Sequence, residues 1–420
     1  MSAITQRNET RQVGLPWLKE VPAKWSVRPL KFNLSLWNEK PSGEGQIIAL
    51  ENIEGWTGRF VKTGSSFDGQ GVGFEPNDIL FGKLRPNLAK VFMATEGGEA
   101  VGDIWVLRPQ EGCAPRYFFY QLLGENFINT VSASTNGAKM PRADWSYVGA
   151  LPSPTPPLDE QHVIAAYLDR ETARIDGLIE KKARFIALLK EKLVDAADVM
   201  VTGRDDPIRD LQEVDIPWAP MIPKDWSTKR AKYLFQEMNR PVEPDDDTIT
   251  AFRDGQVCLR SKRRTDGYTF AELEVGYQHI CKGDLVIHTM DAFAGAIGIS
   301  EDDGKATGEY AVCSPRSDDV NSEYYAYLLR CMARRQYIFI LCPSVRERAP
   351  RFRFFRFAPV LLPVPPRSEQ DQIVERIKKS SARLKSLISK TEQSITLLKE
   401  KRAALITAAV TGKIDVRSSA

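Results

Sequence analysis

Pro156-Pro157-Leu158-Asp159-Glu160-Gln161 opens a stretch with no further proline until Pro207, and Pro365-Pro366-Arg367-Ser368-Glu369-Gln370 opens a second that meets none. Paired prolines fix an extended backbone and cannot lie inside a helix, so each pair predicts a helix start. Asp159 and Ser368 suit the N-cap position, and the glutamate after each suits the positive helix end. Apolar residues then recur at helical spacing: Ile164, Leu168, Ile175, Leu178, Ile179, Ile186, Leu188 and Leu189. Adding 209 to each number gives Ile373, Ile377, Leu384, Leu387, Ile388, Ile395, Leu397 and Leu398, apolar every time. Gly203 and Gly412 supply the C-terminal stops. Two helices of about 43 residues, ~65 Å long, are expected. An apolar stripe of that length needs a partner, and the other helix is the obvious one.

The correspondence reaches outward through the whole chain, and a repeat of this kind has to be settled before any local reading. At an offset of 201, Leu15-Pro16-Trp17, Val21-Pro22, Trp25-Ser26 and Lys31-Phe32 match Ile216-Pro217-Trp218, Ile222-Pro223, Trp226-Ser227 and Lys232-Tyr233. Asn77-Asp78-Ile79-Leu80 matches Gly283-Asp284-Leu285-Val286 at 206, and the aromatic runs from Tyr117 and Tyr324 match at 207. From Pro141-Arg142 and Pro350-Arg351 the offset locks at 209 and holds to Val201-Thr202-Gly203 and Val410-Thr411-Gly412. Drift followed by locking places the insertions in the first part of each copy. That part mixes short apolar runs with Gly, Pro and Asp; Val91-Phe92-Met93 and Ile104–Leu107 predict strands, the two tyrosine runs helices. The fold class expected is α+β: two similar mixed α/β domains separated by two long helices, as an internal repeat.

Length and composition agree. A chain of 420 residues, 42% hydrophobic and 27% charged, is a globular composition with room for two or three domains. No run approaches a membrane span, and the polar start lacks the apolar core of a secretion signal. Six cysteines without a CxxC pair indicate neither zinc ribbon nor disulfide framework, so cytoplasmic residence is expected. Net charge is only +3. Its distribution says more: residues 159–203 hold seven basic and nine acidic side chains, whereas residues 367–417 hold twelve and six. Opposite signs favour pairing within the chain, although exposed ion pairs add only ~0–1 kcal/mol each.

Catalytic patterns are missing from the sequence. Pro244-Asp245 and Asp303-Gly304-Lys305 fall in an acidic loop and a glycine turn rather than a nuclease carboxylate cluster. Gly69-Gln70-Gly71-Val72-Gly73 is followed by Phe74-Glu75-Pro76, where no nucleotide-binding helix can start. The Asn-Pro-Pro-aromatic tetrad of amino-methylating enzymes and the GxxxxGK[ST] phosphate loop do not occur. His279 and Cys281, two apart with His288 nearby, lack a second ligand pair and read as a structural histidine and cysteine. Neither a catalytic centre nor a metal site is expected.

Basic clusters point to recognition. Arg346, Arg348, Arg351, Arg353 and Arg356 interleave with Phe352, Phe354, Phe355 and Phe357, an alternation that suits a strand with one face packed and the other presenting guanidiniums. Arg260, Lys262, Arg263 and Arg264 form a second cluster beside the turn at Asp266-Gly267. The first copy offers Lys83, Arg85, Lys139 and Arg142. Such groups hold phosphates or reach base edges in the major groove, though a solvated surface face has the same composition. At the 206 offset Lys83 falls on Thr289 and Arg85 on Asp291, as two readers of different half-sites require.

The chain resembles the specificity subunits of type I restriction–modification systems over nearly its whole length. The resemblance rests on the doubled Pro-Pro-x-x-Glu-Gln motif, on the doubled Leu-Leu-Lys-Glu-Lys to Val-Thr-Gly helix ends, and on the Pro-Trp openings. The run Asp78-Ile79-Leu80-Phe81-Gly82-Lys83-Leu84-Arg85-Pro86 adds to it; the second copy departs there. The resemblance implies a non-catalytic subunit with target recognition domains at 1–155 and 204–362, spacer helices at 156–203 and 363–412, and a tail at 413–420. The helices would lie antiparallel as a coiled coil, giving a pseudo-two-fold axis, with Ile164, Leu168, Ile175, Ile179, Ile186, Leu189, Ile373, Ile377, Leu384, Ile388, Ile395 and Leu398 as the pairing residues. Expected partners are double-stranded DNA carrying a bipartite asymmetric site, two modification subunits that bring S-adenosylmethionine, and motor-nuclease restriction subunits. The chain has no cofactor of its own in this reading. Two rivals remain open on sequence: a coiled-coil scaffold that binds proteins rather than DNA, and a self-contained modification enzyme.

Overall fold

The computed structural model describes the chain except for residues 1–4, 7–8, 14–17, 42–44, 65–70, 136–138, 264–275, 343–350 and 418–420. Leu15-Pro16-Trp17, the start of the glycine run at Gly69, the turn Asp266-Gly267 and the basic residues Arg264, Arg346 and Arg348 lie outside the described residues. Two compact units are present, residues 1–184 with 392–420 and residues 185–391. Each takes part of each long helix.

The first unit is built on four strands, β1 (Leu34–Trp37), β2 (Ile79–Gly82), β3 (Val91–Met93) and β4 (Ile104–Pro109), in the antiparallel order β1-β4-β2-β3. Side chains alternate across this sheet, as the two-residue strand period dictates. Ile79, Phe81, Trp105 and Leu107 enter a core shared with helices α1 (Pro115–Leu123) and α2 (Glu125–Ala133). Leu80, Ile104 and Val106 face the other way, onto Ile48 and Phe74 of a small three-stranded sheet. Val72–Phe74 is one of its strands, so the end of the glycine-rich run is sheet and no phosphate loop.

Helix α3 spans Leu158–Val201, 44 residues, and its first half supplies Ile164, Leu168 and Ile175 to the first unit's core. The last turns of a second 44-residue helix (Arg367–Val410) meet them there with Leu405, Ile406, Ala409 and Val410. The Tyr117 hydroxyl, 3.0 Å from the Pro154 carbonyl and 3.1 Å from that of Val410, ties the strand that leads into α3 (Pro152–Thr155) to the end of the other helix. Farther along, Arg402 Nε lies 3.0 Å from Asp176, so the two helices run antiparallel within this unit.

The second unit repeats the plan: β5 (Phe235–Met238), β6 (Leu285–His288), β7 (Ile297–Ile299) and β8 (Tyr310–Pro315) in the order β5-β8-β6-β7, with α4 (Ser322–Arg334) in the place of α1. The Arg367–Val410 helix, α5, enters this unit with Ile373, Val374 and Ile377, which share a core with Val201 of α3. No described helix is long and apolar enough to cross a membrane.

Three local expectations change. Helices α3 and α5 begin at Leu158 and Arg367, so Pro157 and Pro366 cap them and Asp159 and Ser368 sit in the first turn. The Pro157 and Pro366 carbonyls already accept the first helical bonds, from Gln161 and Gln370, at 3.0 Å each. Leu178, Leu188, Leu387 and Leu397 are exposed rather than part of the buried stripe; Ile186, Leu189 and Ile388 are buried, and Ile179, Leu384, Ile395 and Leu398 are half-buried. The Arg-Phe alternation forms no strand: Phe354–Phe357 is a helical turn. Phe352 and Phe357 are both fully buried and pack with rings 6.0 Å apart, whereas Phe355 is exposed. Burying residues five apart while exposing the one between suits a turn and not a two-residue period.

Candidate nucleic-acid interface

Each unit anchors its long helix with the same bonds. Trp25 Nε1 donates to Glu160 at 3.1 Å, and the fully buried Gln161 accepts from the Ala114 N–H at 2.8 Å while donating to the carbonyls of Pro156 (2.9 Å) and Gly112 (3.2 Å). In the second unit Trp226 Nε1 donates to Glu369 at 2.9 Å, and Gln370 accepts from Asn321 N–H (2.8 Å) and donates to Pro365 (2.9 Å) and Asp319 (3.0 Å). The glutamine therefore plugs the helix start into the start of α1 or α4, and the glutamate ties it to the tryptophan. Tyr324 repeats Tyr117 by donating to the Val201 carbonyl at 2.8 Å. Gly203 (φ 64°) and Gly412 (φ 73°) close the set: a Cβ would come within 2.5 Å of Pro223 in one and 2.4 Å of Pro22 in the other.

The basic residues of the first copy gather on this rigid base at the end of β2. Lys83 N–H bonds the Asp103 carbonyl (2.9 Å), the Lys83 carbonyl accepts from Ala143 N–H (2.9 Å), and Arg85 N–H reaches the Pro141 carbonyl (2.8 Å). These backbone bonds draw the Arg142 segment alongside. Asp103 then receives the Arg142 guanidinium through both Nε and Nη2 (3.0–3.2 Å) and stands 3.9 Å from Lys83 Nζ. Hydrogen bonding to Asp103 raises the Arg142 pKa. Arg85 is exposed with a left-handed backbone (φ 48°), and Lys139 is also exposed. Lys83 and Arg142 thus share one carboxylate, with the exposed Arg85 next to them along the backbone.

The second copy keeps the backbone bonds of that site at Thr289 but not at Asp291, whose N–H bonds the His288 carbonyl at 3.1 Å and whose φ is −112° against 48° at Arg85. Thr289 N–H bonds the Glu309 carbonyl and the Thr289 carbonyl accepts from Phe352 N–H, both at 2.9 Å. Glu309 stands where Asp103 does, and it takes Arg351 (3.2 Å) and Arg353 (3.7 Å). What changes is the side chain on the strand end: the Thr289 hydroxyl donates to Glu309 at 3.2 Å where Lys83 brings an ammonium. Asp291, the counterpart of Arg85, accepts from Arg253 at 3.0 Å. The other cluster sits elsewhere in the unit. Arg263 forms a two-bond pair with Asp254 (2.9 and 2.7 Å) over the Phe252 ring, Lys262 pairs with Asp302, and Arg260 Nε donates to Thr250 (3.2 Å). Arg351 and Arg353 are therefore brought together, and Arg260, Lys262 and Arg263 form a separate group. Sequence reasoning missed Asp103 and Glu309, although the offset of 206 that links Lys83 to Thr289 links these two as well.

No protein-family model matches the chain. It is 29% identical over 188 residues to the type I restriction enzyme EcoDI specificity subunit of Escherichia coli, 42% of this chain and 41% of that one. It is 22% identical over 411 residues to the EcoBI specificity subunit of the same organism, 92% of this chain and 83% of that one. The chain is similar to type I restriction specificity subunits. The match spans less than half the length of the first relative and most of the second. The architecture agrees: the HsdS subunit of Thermoanaerobacter tengcongensis superposes with a TM-score of 0.56 at 17% identity, covering 94% of this chain and 98% of that one. A chain solved in a study of complex assembly and conformational transition of a type I restriction–modification system gives 0.67, again at 17% identity, covering 94% and 99%. The specificity-subunit fold is thus shared along almost all of the chain.

Proposed function

We propose that the chain is the DNA-reading specificity subunit of a type I restriction–modification complex, with each recognition domain (1–155 and 204–362) reading one half of a split, asymmetric site. The observation that carries this is the pair of sites at the ends of β2 and β6: matching backbone bonds and an acidic anchor, furnished with Lys83 in one copy and Thr289 in the other, and followed by Arg85 and Asp291 on differing backbones. Carboxylate-held guanidiniums are pre-oriented donors for phosphates or guanine edges, and unlike side chains on one frame read unlike bases. Arg260, Lys262 and Arg263 contribute phosphate contacts in this reading.

The helices at 156–203 and 363–412 act as the spacer. The exposed apolar residues Leu178, Phe185, Leu188, Leu387 and Leu397 support docking of two modification subunits, which bind S-adenosylmethionine and methylate adenine. Restriction subunits complete the cutting complex in the cytoplasm, and the chain itself performs no chemistry.

Mapping methylated adenines in cells carrying the complete system tests the reading, with a bipartite asymmetric site expected. Exchanging residues 215–359 for another recognition domain changes one half-site; a change in both overturns the modular reading. Four residues inserted in register into the spacer lengthen it by ~6 Å, or about two base pairs of gap. Unchanged spacing refutes the ruler.

A further inference from the structure

We propose that the second recognition domain holds a zinc ion, or another thiophilic divalent cation, on His279, Cys281 and Asp303. Their donor atoms lie within 4.8 Å of one another. Tetrahedral zinc ligands at ~2.0–2.3 Å from the ion stand roughly 3.3–3.8 Å apart, so side-chain rotation of about an ångström closes the three on an ion. A nitrogen, a thiol sulfur and a carboxylate oxygen are the donor types zinc takes, and a fourth position is left for water.

The surroundings are built rather than accidental. His279 Nδ1 lies 2.9 and 2.8 Å from the two Asp246 oxygens, and both side chains are almost fully buried. That contact uses one ring nitrogen, leaves Nε2 to bind and makes the imidazole a better ligand, as the carboxylate beside a metal-bound histidine does. Strand Gln278–Ile280 is fixed on both sides, by the Gly304–Ala306 strand and by the bridge to Arg240. Cys281, two residues on, has its N–H held by Asp284 at 2.8 Å. Asp303 is steadied by Lys282 N–H at 2.8 Å, on a turn braced by the Ser300 hydroxyl donating to the Asp302 carbonyl at 2.7 Å. Glu243 brings a further carboxylate to the Asp246 side of the ring. The ion joins the Glu243–Asp247 loop, through Asp246, to the strand end and to the 301–303 turn. The first copy has no counterpart: at the 206 offset Cys281 is Glu75 and His279 is Gly73.

Metal-free full-length chain titrated with Co²⁺ and then Zn²⁺ decides it. One Co²⁺ per chain is expected, with a thiolate-to-cobalt absorption band that Zn²⁺ removes. Cys281→Ser abolishes the band, and Asp303→Asn, at an exposed position that leaves the fold intact, weakens Zn²⁺ binding at least about tenfold. Asp246→Asn keeps the band and weakens binding by about 10–100-fold. Cys113→Ser, in the other unit, changes nothing. Sub-stoichiometric binding, or binding indifferent to both Cys281→Ser and Asp303→Asn, overturns the proposal. Because the readout is metal and not DNA, this outcome is independent of the proposed function.

Discussion

The helix lead-ins and the strand ends carry the same duplicated frame and use it in opposite ways. At the lead-ins each copy repeats the other bond for bond: Trp25–Glu160 and Trp226–Glu369, Gln161–Ala114 and Gln370–Asn321. At the strand ends the backbone bonds repeat only as far as Lys83 and Thr289, and Arg85 gives way to Asp291 on a different backbone. Burial accounts for the contrast. Gln161 and Gln370 are 1% and 0% exposed, where a polar group without partners costs about 1–3 kcal/mol, so their geometry admits one solution. Arg85 faces water, where exchange costs little and a new donor can acquire a new target.

The sharpest way to break the comparison is to empty both lead-ins. Gln161→Ala and Gln370→Ala each remove three buried bonds, and a loss of about 4 kcal/mol in denaturant unfolding is expected from each. Losses that differ by more than about 1 kcal/mol would mean that the twin geometries are not energetic twins. Next is Arg402, whose side chain is 9% exposed and which joins Asp176 and the Trp56 carbonyl. Arg402→Ala should cost about 3 kcal/mol, below the full penalty of a broken buried pair because Arg59 still holds Asp176 at 3.0 Å.

A smaller effect compares two tyrosines at the 207 offset. Burial pushes the Tyr120 hydroxyl up to about 12, and burial followed by Glu323 raises Tyr327. A folded-state pKa above the unfolded one gives stability that is complete below pH 10 and is lost as pH climbs toward about 12. Thermal unfolding over that window should show Tyr120→Phe sparing about 2 kcal/mol of the alkaline loss. An unchanged slope would show that the hydroxyl is not held neutral by burial. The smallest effect sharpens the strand-end contrast: Thr289→Lys, imitating the first copy, should alter base preference by about 1 kcal/mol in the second half-site alone. Methylation profiles of the assembled system read that shift, and movement in the first half-site would contradict it.

The periodic features were legible in the sequence. Both long helices, the strands Val91–Met93 and Ile104–Pro109 and the tyrosine-bearing helices α1 and α4 follow from spacing and from the repeat. The Arg-Phe segment was misread because alternation over so few residues also fits a single helical turn whose aromatics point to both sides. The pairing of Arg142 with Asp103 was not legible, since 39 residues separate them and strand register alone brings them together. The same holds for His279 with Asp246, which are 33 apart.

The sequence by itself determined the duplication, the presence of two long helices and the chemical types present at each strand end, because these depend on local periodicity and on comparing one copy with the other. Only the tertiary structure decided which carboxylate meets which cation, which leucines of the long helices remain exposed, and that a histidine, a cysteine and an aspartate share one corner. Those outcomes depend on strand register and on the rotation of each helix about its axis, and a one-dimensional pattern fixes neither.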